Sequence, residues 1–149
     1  MKRRGLLALL SLAAIALPGS ALAQRTDSLP RVAVLDWESE ASNSVAPFTQ
    51  GLRELGYVDG RNIRLEYHYA NSRVDRADAL AAELVRQKVN VIVAFATPAA
   101  HAAKKATSSI PVVVSSSDPI AAGLVSNLAR PGGNVTGLSN MMPDLESKR

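Results

Sequence analysis

Two short segments place polar side chains at the starts of helices: Thr97-Pro98-Ala99 and Ser116-Ser117-Asp118. Backbone N–H groups at a helix start have no intrahelical acceptor and favour a carboxylate or another small anion. The hydroxyls of Thr97 and of Ser116 or Ser117 extend that donor set, and Asp118 supplies a carboxylate that can pair with an ammonium. Asp36 and Trp37 form a third group. Asp36 reads equally as an acid, a solute contact or a loop cap. The Trp37 ring can stack on an apolar or aromatic solute, or fill the core at a strand end. Anion donors beside a carboxylate suit a zwitterionic small solute better than a reaction. The bland alternative is that Thr97 and Asp118 only cap their helices, since both are favoured N-cap types.

The remaining residues give catalysis little support. There is no cysteine, which excludes a thiol nucleophile, a disulfide, a thiolate zinc site and an iron–sulfur centre. No G-x-S-x-G elbow is present, and no G-x-G-x-x-G follows the first strand. Gly132-Gly133 follows Pro131 and lacks the lysine and hydroxyl residue of a phosphate loop. His68 and His101 are the two histidines, and their separation offers no metal spacing. The expectation is therefore no catalytic residue, no metal and no cofactor. Two alternatives stay open: a hydrolase using loop serines with His101, and a structural or interaction domain whose helix starts are plain caps.

These side chains must be positioned by a regular alternation of elements. Arg31–Trp37 reads as a buried strand, followed by a loop over Glu38–Ser44 and a helix over Val45–Leu55 with Phe48, Leu52 and Leu55 on one face. Asn62–Tyr69 alternates apolar with charged residues, which suits a sheet edge. Ser72 and Asp75 have capping-box spacing and open a helix over Arg73–Gln87. Val89–Phe95 is an almost continuous apolar strand. Thr97 as cap and Pro98 in the first turn start an alanine-rich helix to Thr107. Pro111–Val114 is a short strand and Ser115–Pro119 a polar turn. A further helix is expected over Ile120–Leu128, and a last strand over Val135–Leu138. The predicted fold is a three-layer α/β/α lobe with a parallel five-stranded sheet in the order 2-1-3-4-5. In such sheets ligands meet the loops beyond the carboxyl ends of the strands, here 36–44, 96–98 and 115–119.

The N-terminus predicts export. Met1-Lys2-Arg3-Arg4 is basic, Leu6–Leu17 is apolar apart from Ser11, and Ala21-Leu22-Ala23 ends as a signal peptidase site does. Residues 1–23 are thus expected to be a cleavable signal peptide, with Arg3-Arg4 compatible with either general or twin-arginine export. The apolar run is too short for stable membrane insertion. Losing Lys2, Arg3 and Arg4 takes the basic residues from 17 to 14 against 13 acidic ones, so the net charge falls from +4 to +1. That balance argues against a nucleic-acid partner. Without a cysteine for a lipid anchor, the periplasm is the expected location.

Several blocks carry a family likeness. The run Gln50-Gly-Leu-Arg-Glu-Leu-Gly-Tyr-Val-Asp-Gly-Arg-Asn-Ile-Arg-Leu-Glu-Tyr67, Asp75-Arg76 with Leu80–Val85, Val91–Ala100, Ser117–Val125 and Leu128–Gly137 resemble the periplasmic substrate-binding proteins of the TrpX-like ABC transporter family. The resemblance implies a type I periplasmic-binding fold, two α/β lobes on a hinge that close on a small solute, aromatic amino acids in some members. It implies an inner-membrane ABC permease as partner and binding without chemistry. On that analogy Thr97 with Pro98 and Ala99, Ser117 and Asp118 lie on the cleft face, and Asp36 and Trp37 in the variable first loop. The family's chains are longer, so residues 24–149 are expected to be a first lobe with the second lobe absent.

Overall fold

The computed structural model describes residues 28–140, so the expected signal peptide lies outside the described residues. The elements run β1 (Arg31–Asp36), α1 (Val45–Glu54), β2 (Arg64–Tyr69), α2 (Val74–Arg86), β3 (Val91–Phe95), α3 (Thr97–Ala106), β4 (Val112–Ser116) and β5 (Val135–Ser139). All strand pairings are parallel, in the order β2-β1-β3-β4-β5. This is the fold the alternation of elements predicts. β2 takes the edge because charged Arg64 and Glu66 are tolerated where one face and one side stay wet.

The two faces of the sheet are covered unequally. Ala33, Leu35, Ile92, Ala94, Val112 and Val114 are buried in one cluster with Ala77, Ala81 and Leu84 of α2 and Ala99, Ala100, Ala102 and Ala103 of α3. Small side chains on both helices let them lie close to each other and to the sheet. The opposite face is smaller: Val34 and Val93 pack with Val45 of α1, joined by Phe48, Tyr69 and Phe95. Gly137 of β5 pairs with Val114, and a Cβ there would fall 2.0 Å from the Val114 carbonyl oxygen. Only glycine fits that contact without a shift.

Two local expectations are corrected. The segment expected to form a helix over Ile120–Leu128 is a series of turns, with Ala122 N–H donating to Asp118 O and both Leu124 and Val125 N–H donating to Pro119 O. Gly123 sits at φ +67, which ends helical propagation. Leu124 and Val125 still bury into the larger core, so their spacing recorded burial rather than a helix. The capping box of α2 is also not formed. Ser72 is left-handed at φ 56, the extended Arg73 is the N-cap residue, and Asp75 accepts from the Arg73 guanidinium at 2.6 Å.

Candidate functional site

Parallel register puts paired residues on the same face of the sheet. At the carboxyl ends this aligns Tyr69, Asp36, Phe95, Ser115 and Leu138, one from each strand. A cavity of about 410 Å³ opens beside the centre of this row. Its wall is Asp36, Glu38 and Ser44 from the end of β1 and the loop after it, Phe95 to Pro98 from the β3–α3 junction, Ser115 to Ser117 from β4, and Asn140 beyond β5. A larger cavity, about 500 Å³, lies between Lys104 and the 120–135 segment, toward the amino ends of the strands and away from these groups.

Asp36 is 1% exposed, and its carboxylate is fully engaged. Oδ1 accepts from Glu38 N–H at 3.0 Å. Oδ2 accepts from Ser44 Oγ at 2.6 Å and Ser42 Oγ at 3.2 Å. The carboxylate therefore ties the 37–44 loop to the sheet, and the Ser44 hydroxyl is spent there instead of capping α1. Asp36, Glu38 and Glu40 make this corner acidic. The Tyr69 hydroxyl is pushed up chiefly by burial, with Glu40 and then Asp36 acting in the same direction.

The β3–α3 junction departs from the expected cap. Ala96, not Thr97, is the N-cap residue of α3, and its backbone lies at φ 69, ψ 155, a region that is essentially glycine-only. Thr97 is the first helical residue. Its Oγ1 stands 2.8 Å from Ser116 Oγ, linking β4 to the helix start. On the far wall Asn140 Nδ2 donates to Ser115 Oγ at 2.9 Å, and Ser139 Oγ donates to Ser117 O at 2.8 Å. The wall thus offers hydroxyls, an amide and a helix start, with no lysine or arginine among its residues.

Of the residues singled out in the sequence, the cavity wall brings together Asp36, Thr97, Pro98, Ser116 and Ser117. Ala99 is fully buried beneath it. Asp118 is outside the wall, where its Oδ1 accepts from the N–H groups of Ile120 and Ala121 at 3.1 and 2.9 Å. Trp37 is half-buried and packs against the α2–α3 core. His101 lines an adjoining groove with Asp78 and Lys105, which shares Thr97 and Pro98 with the cavity wall, and the Thr97 and Ser116 hydroxyls bond to each other rather than to His101. Glu38, Ser44, Ala96 and Ser115 lie within the loops expected to meet a ligand, although none was singled out, and Phe95 and Asn140 fall outside those loops and were missed. The signal for Asn140 was available, because the loop after β5 is also a carboxyl-end loop. Among the described residues no group of three or more His, Asp or Glu side chains is placed to hold a metal ion.

Comparison with known proteins decides the family. The model for "ABC transporter substrate binding protein" matches residues 32–147. The chain belongs to this family. It is similar to a tyrosine-binding protein of Clostridioides difficile (strain R20291), at 38% identity over 96 residues, which are 64% of this chain and 28% of that protein. Among solved structures it is similar to the ligand-free, open structure of a substrate binding protein with adhesive properties from Clostridium difficile (TM-score 0.69, 32% identity, 74% of this chain and 39% of that one). It is also similar to the ABC domain in complex with L-Trp from Streptococcus pneumoniae (TM-score 0.67, 32% identity, 75% of this chain and 39% of that one). The chain spans well under half the length of these family members. The likeness read from the sequence blocks and the predicted lobe fold are both confirmed. No helix among the described residues is long and apolar enough to cross a membrane.

Proposed function

We propose that this chain captures a small amino-acid-like solute in the periplasm for an ABC importer, binding it without chemistry at the carboxyl-end cavity. The observation that carries this reading is the composition of the wall. An acidic corner at Asp36 and Glu38 faces hydroxyls and a helix start at Thr97, with no basic side chain among them. An α-ammonium suits the exposed Glu38 carboxylate, with the buried, fully bonded Asp36 adding negative charge behind it, and an α-carboxylate suits the N–H and hydroxyl donors of the second part. Family membership and the tyrosine- and tryptophan-binding relatives support the solute class.

In this reading residues 1–23 direct export, residues 24–149 form one wall of a cleft that a second lobe completes, and an inner-membrane permease receives the solute. Asp118 acts on the site through the turn it caps. Isothermal titration calorimetry with the natural L-amino acids tests the proposal. Saturable 1:1 binding with the ligand recovered unaltered is the expected result. No heat with any amino acid, or conversion of the ligand, overturns it.

A further inference from the structure

The ammonium and carboxylate are common to every amino acid, so discrimination must come from what the solute's side chain meets. Phe95 is the ring in the cavity wall, where the other apolar contributors, Ala96 and Pro98, are small. It ends β3 in register with Asp36, so ring and carboxylate belong to the same face of neighbouring strands, whose backbones run about 4.8 Å apart. Phe95 is half-buried, which leaves part of the ring to the cavity. Phe48 of α1 packs against it edge to face, with centroids 5.8 Å apart and planes at 75°, and so holds the ring in place. Trp37 packs against the opposite core, and Tyr69, in register with Asp36 on β2, is not part of the cavity wall.

We propose that Phe95 is the specificity-determining contact of the cavity, selecting a solute with a planar aromatic side chain over an aliphatic one. The proposal rests on the amino-acid-binding reading above. A ring already held by a second ring loses little freedom on binding, and it offers an offset or edge-on partner to an aromatic solute. An aliphatic solute gains contact area there but not the ring–ring term.

The test measures dissociation constants for L-tyrosine, L-tryptophan, L-leucine and L-valine on the full chain and on its Phe95→Leu and Phe95→Tyr variants. Phe95→Met replaces Phe95→Leu if thermal unfolding shows the latter is not folded. The expected result is an aromatic preference in the wild type that falls by about 3- to 10-fold in Phe95→Leu and survives in Phe95→Tyr. Equal weakening of aromatic and aliphatic ligands makes Phe95 a packing residue and overturns the assignment. So does a wild type that binds only aliphatic amino acids, which leaves the amino-acid reading standing. A wild type that binds none of the four and no other natural amino acid overturns both.

Discussion

Thr97 Oγ1 and Ser116 Oγ lie 2.8 Å apart, one at the start of α3 and the other at the end of β4. Because Ala96 takes the N-cap position, the Thr97 hydroxyl is not used on its own helix and instead joins two elements at the cavity wall. The pair is a shared donor and acceptor that a bound carboxylate can enter. Ser116→Ala is expected to weaken amino-acid binding about three- to tenfold, the scale of one net hydrogen bond. Thr97→Val should do the same and Thr97→Ser should not. Calorimetry on the three variants checks this, and equal affinities throughout would remove the pair from the site.

Ala96 provides a stability test independent of any ligand. Its backbone at φ 69, ψ 155 disfavours a Cβ. Ala96→Gly should therefore raise stability by about 1 kcal/mol, despite the added freedom of glycine in the unfolded chain. Urea unfolding measures it. A destabilised variant would mean that the strained turn is not present in solution.

Asp36→Ala should cost about 2–3 kcal/mol, because it leaves the Glu38 N–H and the Ser42 and Ser44 hydroxyls without their acceptor. The effect should be local as well as global. Hydrogen exchange at residues 38–44 is expected to accelerate more than exchange in α3, whereas uniform acceleration would contradict the tethering role.

Acid stability should change in two separate pH ranges. His68 shares the α2 side of the sheet with Leu35, and its buried Nε2 has no hydrogen-bond partner among the described residues. Burial pushes its imidazole below the ordinary value of 6.5, with the Glu66 carboxylate opposing the shift and the Arg31 guanidinium adding to it. The unfolded chain then takes up the proton first, so stability falls as pH drops below about 6.5. Glu66 is held below its ordinary value of 4.5 mainly by the hydrogen bond from Arg31. Its contribution is present above that pH and is lost as pH falls through the lower folded value. His68→Leu should flatten the stability profile between pH 7 and 5.5, and Glu66→Gln only below about pH 4.5. Urea titrations at several pH values check both, and unchanged profiles would contradict them.

The sheet order was legible because β2 alone alternates charge with apolar residues, while β1 and β3 are apolar on both faces. Trp37 stayed open in the sequence between solute stacking and core packing; in the structure it shares parity with Ala33 and Leu35, both fully buried, and packs on the α2–α3 side. The Thr97 contact was not legible, since its partner Ser116 is on the neighbouring strand and cap preferences pointed to a local role. The helix expected over 120–128 does not form: Ile120, Leu124 and Leu128 have helical spacing, but Leu124 alone of the three is buried. Phe95 was hidden at the end of an apolar strand, where a core ring and a cavity ring look alike until register places Asp36 beside it.

The most direct test of the central claim is an amide chemical-shift titration of the isotope-labelled chain with L-tyrosine. Ligand at the carboxyl-end cavity predicts saturable shifts at Glu38, Phe95 to Thr97, Ser115 to Ser117 and Asn140. Shifts confined to Lys104 and residues 123–135 around the other cavity, or no shifts at millimolar ligand, would contradict the account.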